Sequence, residues 1–195
     1  MRIKTIHISD DARETAKKIL FFMLRLLVVF FIFDFFFLFL IGAPVKGGIY
    51  WALLEKYNLA EMFRDMLLLG GGMVAKLFGY ECAIAGNRLA IAGGSGVIVG
   101  YSCYGFSVVS LYAALIVAYP QRARIKAVYL AAGLISIIAL NMLRIGGLAI
   151  IFTKANREEL VALDHHLIFN IIVYALIFAI FYKFVNVNPQ NKSAR

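Results

Sequence analysis

The sequence predicts an all-α polytopic integral membrane bundle, with about four transmembrane helices in a single membrane domain spanning residues 1–195. Three observations predict it. Apolar residues make up 63% of the chain and its mean hydropathy is +0.84, beyond the range of an ordinary water-soluble domain. Four long apolar runs are each separated by polar or charged segments. Basic residues gather beside alternate ends of those runs, the pattern left by membrane insertion.

Residues 1–18 carry Arg2, Lys4, Arg13, Lys17 and Lys18 and form an expected cytoplasmic N-terminal segment. The first span covers 19–41, an apolar run long enough to cross the roughly 30 Å hydrocarbon layer as a helix. Its length and lack of a small-residue cleavage site argue against a removable signal peptide. Further spans are expected at 103–119, 127–152 and 166–184. The stretch Pro120 to Lys126 holds Arg122, Arg124 and Lys126 and belongs on the cytoplasmic side, as does the tail 185–195. The net charge of +9, from 20 Lys and Arg against 11 Asp and Glu, is therefore a topology signal, and no nucleic-acid partner is expected.

Residues 42–102 then face outward and cross an even number of times, zero or two. Met66 to Phe78 contains Gly70, Gly71, Gly72 and Lys76 and is short for a span. An interfacial or re-entrant hairpin fits better, with Tyr50, Trp51 and Lys56 near the headgroups. Residues 80–101 alternate apolar positions with Gly-Asn and Gly-Gly punctuation, predicting a small extracytoplasmic extended element.

Three polar residues stand near the expected outer ends of three spans: Cys103, Arg144 and His166. An ionisable group in or beside a bilayer is costly, and function is its default explanation. Each has company at helical spacing: Ser107 and Ser110 after Cys103, Asn141 one turn before Arg144, Asn170 and Tyr174 after His166. Each also has a bland reading taken singly. A free cysteine behaves as a small apolar side chain, a histidine at a helix start is often a cap, and an arginine near a helix end snorkels, as expected for Arg25.

Together they make a complete chemistry. A thiolate is the nucleophile, and neighbouring cations favour it. An imidazole hands a proton to a departing amine, and a guanidinium stabilises the developing oxyanion. No metal or organic cofactor is required. The three histidines lack metal-ligand spacing, the adjacent His165 and His166 least of all, and Gly93-Gly94-Ser95-Gly96 has no following lysine for a phosphate loop.

Gly79-Tyr80, the glycine-bearing extended stretch, Cys103-Tyr104-Gly105, Asn141-Met142-Leu143-Arg144 and His166 follow one another in an order that resembles the exosortase and archaeosortase family of membrane transpeptidases, over roughly residues 66–184. The resemblance implies a thiol peptidase or transpeptidase of the plasma (inner) membrane with its site toward the extracytoplasmic face. Implied substrates are secreted proteins with a C-terminal sorting signal of short motif, membrane helix and basic cluster, and the implied acceptor is water or an unidentified amine. It makes Cys103 the nucleophile, Arg144 the oxyanion or substrate-positioning group and His166 the general acid and base. Tyr104 stands where the family commonly has Ser or Ala, and would narrow substrate choice.

Alternatives stay open at this point. His165 competes with His166, and Asp164 would orient either ring or cap the last helix. Cys82 and Cys103 would form a disulfide if both face an oxidising exterior. A rival function is a small carrier or channel subunit with a polar path lined by Asn141, Arg144 and His166, although carriers often show repeats and none is evident here.

Overall fold

A computed structural model of the chain describes residues 10–41, 59–94, 96–154 and 165–187. Its elements are α1 (Asp10–Ile41), α2 (Leu59–Leu77), a three-stranded sheet of β1 (Cys82–Ala85), β2 (Arg88–Ile91) and β3 (Val97–Ile98), a short 3-10 turn (Tyr101–Cys103), α3 (Phe106–Ala118), α4 (Ala123–Lys154) and α5 (His165–Asn186). Four segments are long and apolar enough to cross a membrane: Asp10–Leu40, Tyr101–Ala118, Ala123–Thr153 and Phe169–Asn186. The protein is a multi-pass, all-α membrane bundle.

Helix boundaries run past the hydropathy boundaries for local reasons. α1 starts at Asp10, not near residue 19, because Asp10 and Asp11 occupy its first turn and favour the helix dipole there. Lys18 and Glu14, one turn apart at 3.8 Å, add a weak exposed pair. α4 starts at Ala123 without acidic residues in its first turn, and the dipole gives it no such help; Lys126 there is held instead by the Val117 carbonyl.

Aromatic contacts fix the directions. Phe22 of α1 meets Tyr119 just beyond α3, while Phe37 stacks at 4.5 Å on Phe106 at the start of α3, so α1 and α3 are antiparallel. Lys126 Nζ donates to the Val117 carbonyl at 2.8 Å, and the Tyr112 hydroxyl donates to the Tyr129 carbonyl, so α3 and α4 are antiparallel too. Phe184 of α5 packs on Tyr119 and Tyr129, and Gln121 donates to the Val187 carbonyl. Lys126, the loop before α4 and the end of α5 thus gather at one end of the bundle.

The sheet and α2 lie at the other end. β1–β2–β3 is antiparallel throughout, with Cys82 opposite Ile91 and Leu89 opposite Val97. Leu89, Ile91 and Val97 point into an apolar core shared with Leu67, Leu68, Ile145 and Ala149. The expected extended element is this sheet. α2 is continuous through Gly70–Gly72, and the glycines serve close approach. A Cβ at Gly71 would come 2.7 Å from Ile145 Cγ2, and one at Gly146 would come 2.6 Å from the Gly71 carbonyl oxygen. Small residues let helix backbones touch in this way within membranes. The first turns of α2 reach back to α3, with Phe63 and Phe106 at 5.1 Å. α2 is not among the four candidate spans, and the other arm of the expected hairpin, residues 42–58, lies outside the described residues.

Candidate active site

Cys103 does not open a helix. The 3-10 turn closes with Cys103 N–H donating to Gly100 O at 2.9 Å and Tyr104 N–H donating to Tyr101 O at 3.1 Å. Gly105 then takes a left-handed conformation, φ +74°, and α3 begins after it. Glycine pays no steric penalty there, and the break puts Cys103 out of phase with α3. Ser107 is consequently exposed while Ser110 is fully buried, and the expected stripe of Cys103, Ser107 and Ser110 does not form.

α4 supplies the partners. Asn141 is 3% exposed, and its Nδ2 donates to the Cys103 carbonyl at 2.7 Å. One turn further, Arg144 is half-buried and lies within electrostatic reach of Cys103. Its guanidinium carbon sits 4.6 Å from the centroid of the Phe169 ring on α5, a cation–π arrangement that strengthens when water is excluded. Phe169 lies within the first turns of α5, the helix that His165 and His166 open. The side chains of His165 and His166 are outside the described residues. Asn170 is half-buried, whereas Tyr174 is 40% exposed and turns away from the bundle.

Tyr104 is 3% exposed, with its ring among Phe63, Tyr101 and Phe106. It packs as a core residue beneath the turn. Beside it stands a charged group on α2 that the sequence reading passed over: Arg64 donates to Asp65 at 3.0 Å, faces Glu61 at 3.8 Å and is within electrostatic reach of Tyr104. Burial works against the Arg64 charge, but the hydrogen bond to Asp65 and the two carboxylates outweigh it and hold its pKa above the ordinary value. Glu61 one turn before Arg64 and Asp65 beside it were the available signal.

Both thiols are free. Cys82 Sγ donates to the Gly72 carbonyl at 3.5 Å, and no disulfide joins it to Cys103. Among the described residues, no group of three His, Cys, Asp or Glu is arranged to hold a metal ion.

Four membrane-crossing segments, with a half-buried thiol and a half-buried guanidinium brought together from separate elements, define a multi-pass membrane protein with a reactive-type polar centre near one end of its bundle. The transmembrane exosortase family matches residues 18–183, and the chain belongs to that family. It is therefore a membrane enzyme of the protein-sorting kind. No curated protein and no solved structure matches the chain.

Proposed function

We propose that the protein is a cysteine peptidase or transpeptidase that removes a C-terminal sorting tag from secreted proteins. The observation that carries this reading is the meeting of the Cys103 turn with the Asn141–Arg144 face of α4, itself braced on Phe169 of α5.

The Cys103 thiolate attacks the carbonyl carbon of the scissile peptide bond, forming an S–C bond and a tetrahedral oxyanion. Arg144 stabilises that oxyanion with its fixed fork of donors. The C–N bond then breaks as His166 gives a proton to the departing amine, leaving a thioester on Cys103. Water or an acceptor amine attacks the thioester and passes its proton to His166, and the C–S bond breaks to restore the thiolate. His165 is the competing choice for this proton carrier. The site faces the extracytoplasmic side of the plasma membrane, a reading supported by Arg122, Arg124 and Lys126 at the opposite end of the bundle.

The test is processing, in cells, of a secreted protein carrying a motif, membrane helix and basic cluster at its C-terminus. Wild type, Cys103→Ala and Cys82→Ser are compared at matched expression. Tag loss with wild type and Cys82→Ser but not with Cys103→Ala is the expected result. Equal processing by all three would remove Cys103 from the chemistry.

A further inference from the structure

We propose that Asn141 is a positioning residue: its side-chain amide holds the Cys103 carbonyl and so fixes the turn that presents the thiol to Arg144. This rests on the reading of Cys103 as nucleophile and adds to it a residue that acts through the backbone.

The Cys103 carbonyl lies outside the hydrogen-bond ladder of α3. The first acceptor of that ladder is Gly105, whose carbonyl takes the Val109 N–H at 3.0 Å. The donor that reaches Cys103 O comes instead from another helix, at 2.7 Å and across 38 residues of sequence. The turn itself is held by two short-range backbone bonds and is followed at once by the left-handed Gly105. A short turn beside a glycine is easily reshaped, and a single buried contact to a rigid helix removes that freedom.

The chemistry of the bond selects asparagine. A carbonyl oxygen accepts only, so its partner must be a donor, and the amide NH2 qualifies where a carboxylate does not. The other atom of the amide, Oδ1, is buried with no hydrogen-bond partner among the described residues. A half-satisfied amide in an apolar helix is costly compared with leucine at the same place. Its donor must therefore contribute something that packing does not. Because Asn141 and Arg144 are three residues apart on one helix, the clamp and the guanidinium keep a fixed relation, and the thiol is registered against both.

The variants are Asn141→Leu, which keeps volume but removes the donor, Asn141→Asp, which sets an acceptor against an acceptor when ionised, and Asn141→Gln, which retains an amide. Each is prepared as the full chain in detergent. Two readouts are taken: processing of the tagged substrate, and the rates at which an uncharged maleimide labels Cys103 and Cys82 in the same molecule. With the clamp gone, processing falls at least tenfold while Cys103 labelling at high pH, where access limits the rate, rises severalfold. Cys82 labelling and the melting temperature stay near wild type, and Asn141→Gln retains more processing than Asn141→Leu. Activity falling as access rises is a signature that a merely structural residue does not give. Parallel rises in Cys82 and Cys103 labelling with a lowered melting temperature would overturn the proposal, as would unchanged processing and labelling in Asn141→Leu and Asn141→Asp. If wild type fails to process the substrate, the proposed reaction fails, yet the labelling comparison still decides whether Asn141 holds the turn.

Discussion

Gly146 and Gly147 are neighbours on α4, and the structure predicts opposite outcomes for the same substitution. A Cβ at Gly146 would lie 2.6 Å from the Gly71 carbonyl oxygen and 2.7 and 2.8 Å from Val74 Cβ and Cγ1. Carbon contacts are comfortable at about 3.5–4.0 Å, so α2 must retreat by close to an ångström. Overpacking of this size costs about 1–3 kcal/mol. The helix gains up to about 1 kcal/mol when alanine replaces glycine, leaving Gly146→Ala about 0–2 kcal/mol less stable than wild type. A Cβ at Gly147 meets nothing within 4 Å, so Gly147→Ala keeps the helix gain alone. Comparing the two variants cancels the helix propensity and isolates the crossing, worth about 1–3 kcal/mol. At roughly 2–4 °C per kcal/mol for a chain of this length, thermal unfolding in one mild detergent separates them by several degrees. Gly147→Ala melting at or below Gly146→Ala would refute the close α2–α4 crossing. The crossing matters to the site because Gly146 stands two residues beyond Arg144.

Arg144→Lys should lose most processing while folding normally, since an ammonium lacks the planar fork and the stacking face that guanidinium offers Phe169; retained activity would reduce Arg144 to a point charge. Phe169→Leu should lower processing severalfold and Phe169→Tyr should not, because the ring face contributes about 0.5–2 kcal/mol to holding the cation; equal rates in both would show that the stack is incidental. Gly105→Ala should destabilise by about 1–2 kcal/mol, measured by thermal unfolding, through backbone conformation alone, as the nearest atom to an added Cβ is Asn141 Nδ2 at 3.8 Å. Wild-type stability would mean that the turn relaxes out of its left-handed form.

The spans were legible because a bilayer forces each crossing to be a long apolar helix, and hydropathy reads length and polarity directly. It is blind to dihedral angles, which is why the break at Gly105 and the withdrawal of Cys103 from α3 were not visible. The Gly70–Gly72 triplet was legible as unusual but not in its purpose: the same residue type punctuates a loop or admits a second backbone, and only the presence of Gly146 opposite decides. Arg64 was overlooked because its neighbours Glu61 and Asp65 make a neutral-looking segment. Its relevance comes from Tyr104, distant in sequence and adjacent in space.

The length of α4 explains how a guanidinium is tolerated in an apolar run. At 1.5 Å per residue its 32 residues extend about 48 Å, well beyond a hydrocarbon layer of roughly 30 Å. Lys126 of α4 is bound to the Val117 carbonyl at the end of α3 and marks the border on the basic side. Arg144 is 18 residues further on (144 − 126), about 27 Å along the helix, and so approaches the opposite border. One face of the remainder of α4 packs on α2 and the sheet, through Ile145 and Ala149 against Leu67, Leu68 and Leu89. Apolar side chains of α4 pack into protein on both sides of Arg144, Ile137 before it and Ile145 and Ala149 after it. On the proposed reading, the cation lies near the membrane border, where a peptide emerging from the bilayer would meet the thiol and water. If the protein is the proposed peptidase, that placement favours cleavage at the membrane boundary over cleavage within a fully buried helix, and moving the scissile bond one helical turn deeper into the substrate's apolar segment should abolish processing.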